Sequence, residues 1–378
     1  MKDDITAAYK RRKADFATWL ARQAESAAVF IDSEAHRSPE IRYFTGFVGD
    51  AVLVISVDGR SVLIPWDENL AKNTATADYV IPFTRFERQA IPAVSAALKK
   101  LAVVPGSRVE IPASTPYPEF LHFVDELSGY DILCKEKGAE MQVAEMRSVK
   151  DEFEIAFIRR AAEITDTIID LIEAGVKDGT ITTETDAALL IERECRKAGC
   201  EGTGFETLAA GPARSFAIHS FPPYTAGAFP AQGLSILDFG VKYNGYTSDV
   251  TLTIAKGPLT EEQEKQLELV EKAYNSALKL YEKDLAVRTP AAKVTDIFTK
   301  AKRTMPHSLG HGIGLECHEE PFVRMKTSAE NLFKPGMTVT LEPGLYSSEF
   351  GGCRLENDIL ITEDGCEQLT HSRIIRID

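Results

Sequence analysis

The spacing of apolar positions divides the chain into two differently patterned regions. In residues 4–24, Ile5, Tyr9, Phe16 and Leu20 recur as on one face of an amphipathic helix. SAAVFID at 26–32 is a short apolar run, the pattern of a buried strand. AVLVISVDGRSVLIP at 51–65 sets two apolar runs around Asp58-Gly59, a hairpin signal. YVIPF (79–83), RVEIP (108–112) and DILC (131–134) read as further strands, with helical stretches at 87–102 and 117–127. This alternation predicts an α/β first domain.

The polar, helix-prone segment 135–149 marks a junction and divides the chain into domains 1–140 and 141–378. Ser148, followed by Glu152, predicts a helix from about 150 to 174 that stops at Gly175. Further helices are predicted over 181–198, over 260–284 from a capping box at Thr260, and over 290–302. Strands are expected at 234–239, 246–255, 337–342 and 354–362. The second domain is therefore expected to be α+β, a curved antiparallel sheet with helices on its outer face. Asp238 and Asp249 flank one turn, and Glu342 and Glu356 another, so two hairpins could bring their carboxylates together.

Composition narrows the function. A chain of 378 residues has room for two cores, and a net charge of −14 argues against a nucleic acid partner. The basic run Lys10 to Lys13 reads as a solvated helix face. Six cysteines, none in a C-x-x-C pair, read as free and mostly buried thiols of a reducing compartment. The N-terminus carries early acids, and no run approaches ~18 apolar residues, so a cytoplasmic chain with no membrane span is expected.

Five residues carry the chemistry. Asp238 lies in LDFG, Asp249 in GYTSD, His311 in GHGIG, Glu342 in LEPG and Glu356 in RLEND. Taken singly, each acid is a strand-end residue and the histidine a structural one. Together they form a hard, oxygen-rich donor set, suited to two divalent ions such as manganese or cobalt. Such a pair polarises a carbonyl and activates water, as aminopeptidases require. Gly310, Gly312 and Gly314 surround His311 and read as room for close approach of metal and substrate. Cys317, beside His318, is not needed as a nucleophile at such a site.

In order and spacing these phrases resemble the creatinase/prolidase/aminopeptidase P group of metallopeptidases, the pita-bread fold. The resemblance covers about 150–378 and reaches IRYFTGF at 41–47 in the first domain. It implies two divalent ions, Mn2+ first with Co2+ or Zn2+ as alternatives, and a homodimer. It assigns Asp238, Asp249, His311, Glu342 and Glu356 as ligands, with Asp249 and Glu356 bridging. His307 and His318 take the places of histidines that bind substrate or steady the tetrahedral intermediate. His219 matches one that faces the scissile nitrogen, and Arg354 one that orients the bridging glutamate or meets a substrate carboxylate. Glu342 would also relay a proton.

The sequence departs from the group's pattern at several places. Phe322 stands where prolidase-like members carry an arginine after HExP, although Arg324 is near. Leu252 replaces the arginine of D-x-T-R, Asn357 replaces the aspartate of R-x-E-D, and LIPWDENLA replaces the group's L-L-T-D-x-R-Y phrase. The expected function is an exopeptidase cutting Xaa-Pro bonds of short peptides, as an Xaa-Pro aminopeptidase, with Phe322, Phe205 and Tyr224 around the proline ring. The alternatives are an Xaa-Pro dipeptidase, a hydrolase of another small amide, and a metal-free binding module on the same fold.

Overall fold

In the computed structural model, which describes residues 2–377, the chain divides into two units, Met1–Arg147 and Ser148–Asp378. The first contains α1 (Lys2–Arg22), β1 (Ala27–Asp32), α2 (Pro39–Thr45), β2 (Ala51–Ser56), β3 (Ser61–Pro65), α3 (Glu68–Thr74), β4 (Tyr79–Val80), α4 (Ala90–Lys100), β5 (Arg108–Ile111), α5 (Tyr117–Glu126), β6 (Asp131–Cys134) and α6 (Ala139–Ser148). The strands form one sheet in the order β4-β3-β2-β1-β5-β6. The Asp58-Gly59 hairpin is present, with β2 and β3 antiparallel, while β1 pairs parallel with β5. Strand periodicity puts Val29, Val52 and Val54 in the core beneath α4 and α5. Phe30 faces the other way and meets Phe16 of α1 and Phe44 of α2.

Several expectations change here. YVIPF is a strand only at Tyr79–Val80; Pro82 cannot donate to a ladder, and a 3-10 turn at Phe83–Phe86 follows it. IRYFTGF forms α2 and its cap, with Gly46 at φ 74°. Arg12 and Lys13 are not solvated. Arg12 donates to the Tyr43 carbonyl at 2.9 Å and lies over the Tyr43 ring, while Lys13 reaches Ser61 Oγ at 2.9 Å. Long stems let both cations cross the apolar face to buried acceptors.

The second unit begins with α7 (Glu152–Asp178) and α8 (Glu184–Lys197). β7 (Gly202–Thr203), β8 (Leu208–Ala210), β9 (Gly233–Phe239), β10 (Val241–Tyr243), β11 (Tyr246–Thr247) and β12 (Val250–Lys256) follow. Next come α9 (Glu261–Leu278) and α10 (Thr289–Lys300). The chain ends with β13 (Gly310–Gly312), β14 (Glu319–Val323), β15 (Thr338–Leu341), β16 (Gly344–Ser347), β17 (Gly351–Arg354), β18 (Asn357–Thr362), β19 (Gly365–Gln368) and β20 (Ile374–Ile377).

The two expected hairpins are present as one device used twice. β9 and β12 pair antiparallel, and the short β10–β11 hairpin interrupts them. β15 and β18 pair antiparallel, and the β16–β17 hairpin interrupts them. A bridge between Thr251 and Glu356 ties the two halves. α7 and α8 share a core with β9 and β12, while α9 and α10 share another with β15 and β18. The expected strands 246–255 and 354–362 are thus each broken, at Asp249 and at Glu356. One strand departs from the antiparallel rule: β20 runs parallel to β12.

Helix ends also differ from expectation. Asp151, not Ser148, caps α7, in a capping box with Glu154. α7 continues through Gly175 and stops at Gly179, φ 81°. Gly175 is there for packing, since a Cβ would stand 2.8 Å from Ile181 Cδ1. α9 ends at Leu278 because the chain turns Tyr281 into the core, where its hydroxyl donates to the Thr340 carbonyl at 3.0 Å. Gly175→Leu is therefore expected to destabilise by about 1–3 kcal/mol, measured by urea denaturation. A stabilised variant, as for a solvent-facing helix glycine, would contradict this packing role.

Candidate metal centre

The two hairpin devices place the acids. Asp238, on β9, lies opposite Thr251 of β12, and Asp249 fills the step between β11 and β12. Glu342 directly follows β15, and Glu356 lies between β17 and β18. His311 is the middle residue of β13. Asp249, His311 and Glu356 each bring a ligand atom within 4.8 Å of the others. His311 Nε2 also stands 3.6 Å from Glu342 Oε1. All five line one cavity of about 390 Å³, together with His219, His307, His318 and Arg354. Asp238 differs from the rest in its partner, since its Oδ2 accepts from Arg354 Nη2 at 2.5 Å.

The three glycines around His311 serve packing rather than open space. A Cβ would meet the Thr340 carbonyl at Gly310, the Glu320 carbonyl at Gly312 and Glu319 Oε1 at Gly314, all within 2.2 Å. Glu319 is in turn buried against Lys150 at 2.8 Å.

The charge balance of the cavity is unfavourable for the protein alone. Burial first, then the neighbouring acids, hold the Asp249 and Glu342 carboxyls well above the usual carboxylate range. The same causes push Glu356 up to about 7. Asp238 Oδ1 is buried with no hydrogen-bond partner among the described residues. These are the marks of a site shaped for cations, because a buried charge is costly without a partner. The histidine fits too. His311 Nδ1 donates to the Gly312 carbonyl at 3.1 Å, leaving the Nε2 lone pair facing the acids. Burial pushes its pKa down to about 3, so the imidazole is neutral and ready to ligate. Cys317 donates its thiol to Asp249 Oδ2 at 3.1 Å. Burial and the Asp249 charge push that thiol far up, so it is no nucleophile.

Arg354 organises this set. It is 2% exposed. Besides Asp238, its Nε donates to Thr251 Oγ1 at 2.8 Å, and Nη1 donates to Tyr346 Oη at 2.8 Å and the Ile218 carbonyl at 3.2 Å. The Thr251 hydroxyl in turn donates a hydrogen bond to Glu356 Oε2 at 2.6 Å. Arg354 thus orients Asp238 directly and Glu356 through Thr251. Tyr346 continues the network to His307 Nε2 at 2.9 Å, whose Nδ1 donates to the Ser308 carbonyl at 2.8 Å. Both nitrogens of His307 are engaged.

His318 is different. Its ring lies 4.1 Å from that of His311, centroid to centroid, is exposed, and has no hydrogen-bond partner among the described residues. His219 is likewise exposed on the cavity wall. Sequence reasoning passed over Thr251, Tyr346 and Asp358. Asp358 takes the Asp249 backbone N–H on its carboxylate, at 3.1 Å to Oδ2. Thr251 and Asp358 each lie two residues beyond an identified acid, so strand periodicity held a signal for them. Tyr346 left none.

The sequence profile of metallopeptidase family M24 matches residues 156–363. The chain belongs to metallopeptidase family M24. It is a metallo-exopeptidase of the creatinase/prolidase/aminopeptidase P group, with the pita-bread fold. It is 29% identical over 336 residues to the Xaa-Pro dipeptidase of Pyrococcus horikoshii, covering 88% of this chain and 91% of that protein. The crystal structure of the Pyrococcus horikoshii prolidase superposes with a TM-score of 0.81 at 25% identity, covering 97% of this chain and 99% of that one. The X-Pro aminopeptidase of Thermotoga maritima shares the fold, with a TM-score of 0.82 at 24% identity, covering 97% and 99%. Membership implies divalent metal ions for the M24 enzyme, which the donor set accommodates.

The burial of these acids and histidines gives the metal-depleted enzyme an expected response to pH. A carboxyl with a raised folded pKa stabilises the fold while protonated. That contribution is present below its unfolded value of about 4 and is lost as pH rises through the folded value. Glu356 loses it through about 7, and Asp249, Glu342 and Asp358 are raised well above their ordinary values. His307 and His311, pushed down to about 4 and about 3, act oppositely, but only below the unfolded value of about 6.5. The metal-depleted enzyme is therefore expected to lose thermal stability from pH 6.5 to 8, and a saturating divalent ion to abolish the decline. Melting curves across that window check this; a flat metal-free profile would show that the acids do not strain the fold.

Proposed function

We propose that the M24 enzyme cleaves Xaa-Pro bonds and takes Xaa-Pro-Yaa peptides in preference to the dipeptide Xaa-Pro. One observation carries the length preference: the cavity offers no available guanidinium. Arg354 is the sole arginine in the lining among the described residues, and four of its five N–H groups are already donated. What remains cannot form the two-pronged grip that suits a carboxylate. Phe322 lines the cavity, and its ring cannot compensate a desolvated carboxylate. Arg324 sits over the Phe322 ring at 4.9 Å but faces an adjoining depression. A dipeptide would leave its terminal carboxylate in the cavity, whereas a longer peptide carries it out.

Phe205, Leu208 and Phe322 give the proline ring an apolar wall. Tyr224, expected beside them, packs instead against the core of α7, α8 and β9. Asp238, Asp249, His311, Glu342 and Glu356 would hold two divalent ions, manganese in this reading. When bound, such ions polarise a carbonyl and lower the pKa of water. The protein's own groups do the rest. Glu342, which lines the cavity with its Oε1 3.6 Å from His311 Nε2, is ionised once ions are bound and so can accept the proton of the attacking water and return it to the departing nitrogen. His318, unengaged at the rim, donates to the developing oxyanion, and His219 faces the departing nitrogen. The dipeptidase reading draws its support from the name of the Pyrococcus horikoshii relative.

Two measurements test these roles. Asp249→Ala is expected to lose bound metal on elemental analysis, and activity with it. His318→Ala is expected to retain its metal while kcat falls about 10²–10³-fold, the usual loss for one oxyanion donor. Metal loss in the second variant would make His318 a ligand instead. Substrate length is checked by kcat/KM for a dipeptide and a tripeptide sharing their first two residues. A clear dipeptide preference would reject the aminopeptidase reading and leave the Xaa-Pro assignment standing.

A further inference from the structure

Beside the catalytic cavity lies a second depression, of about 480 Å³. The two have His307 and Ser308 in common as wall residues. Among the described residues its lining includes Arg303, Arg324 and Lys326 and no aspartate or glutamate, in a chain whose net charge is −14. Arg303 is occupied by Glu262 at 2.8 Å. Arg324 and Lys326 have no acidic partner among the described residues. Most exposed basic side chains merely face water, but these two stand on a turn that is held in shape. Thr327 Oγ1 donates to the Phe322 carbonyl at 2.5 Å, and the Thr327 N–H to the Arg324 carbonyl at 3.1 Å. The Arg324 guanidinium is further steadied over the Phe322 ring. Phe322 itself lines the catalytic cavity, so the cation sits directly behind the wall that lacks one.

We infer that this depression receives the C-terminal carboxylate of a tripeptide or tetrapeptide substrate, with Arg324 and Lys326 as its cations. The inference rests on the Xaa-Pro reading of the cavity and names where the rest of the peptide goes. Each residue after proline extends the chain by about 3.3–3.6 Å, so one or two carry the carboxylate past His307 and Ser308. The interaction is solvent-facing, so its effect is modest and sensitive to salt.

The experiment compares a tripeptide Xaa-Pro-Yaa as free acid and as C-terminal amide on the metal-loaded enzyme. The free acid is expected to be preferred about 3–10-fold in kcat/KM, through KM, with the ratio shrinking as salt is raised. In the variant carrying both Arg324→Gln and Lys326→Gln the ratio is expected to fall to near one, and Arg324→Lys alone is expected to restore most of it. Lys302→Gln, an exposed residue outside the depression, is the control and should keep the wild-type ratio. Equal rates for acid and amide in the wild type, or an undiminished ratio in the double variant, would overturn the inference while leaving Xaa-Pro cleavage intact. Failure to cleave any Xaa-Pro bond would overturn the Xaa-Pro reading and this inference together.

Discussion

The buried guanidinium of Arg354 is the interaction on which the centre depends. It lies among Asp238, Glu342 and Glu356, bonded to the first directly and to the third through Thr251. One cation cannot neutralise this group of acids, and the raised carboxyls of Asp249 and Glu342 express the shortfall. Yet without Arg354 the group would be far worse. Removing one partner of a buried charge pair typically costs about 3–5 kcal/mol. The arrangement holds the donors in place before any ion arrives, which spares the ion part of the cost of ordering them. The remaining charge imbalance is what a divalent ion relieves.

The fold solves a geometric problem as well. Four carboxylates must converge from positions far apart in sequence. A continuous strand would send successive side chains to opposite faces. In each half of the second unit, a small hairpin interrupts a longer antiparallel pair, and an acid sits at the interruption. The β9–β12 register fixes Asp238 opposite Thr251, and the β15–β18 register fixes Leu341, just before Glu342, opposite Asn357. A slip of one residue would turn either set outward. The helices enforce this register, since each half buries its own apolar helix pair behind the sheet.

Much of this was legible in the sequence, and what was hidden follows a pattern. Hairpins and long helices were readable because they carry local signals: Asp58-Gly59, the Thr260 capping box and the apolar periods. The acids were readable because each stands in a distinct phrase. Local signals failed where the reason is tertiary. Gly175 looks like a helix stop, but the approach of Ile181 explains it. Arg12 and Lys13 look solvated until Tyr43 and Ser61 are brought beside them. Tyr346 is an ordinary strand residue by sequence, and its link from Arg354 to His307 exists only once the β16–β17 hairpin is closed.

In the proposed mechanism the two histidines flanking His311 divide support from chemistry. By sequence they are equivalent candidates. In the structure His307 is held at both nitrogens, at the end of a relay that starts on Arg354. Burial pushes it down to about 4, so it stays neutral and its Nδ1–H remains on the Ser308 carbonyl. A ring so fixed is a wall, and it stands between the cavity and the cationic depression beside it. His318 has no such ties. It projects at the rim next to His311, and the buried Glu319–Lys150 pair anchors the backbone just behind it. Its position is set by its neighbours in sequence while its nitrogens stay available. A group that must donate to a charge appearing only during reaction has to be placed but not satisfied beforehand. Of the two, only His318 meets both conditions.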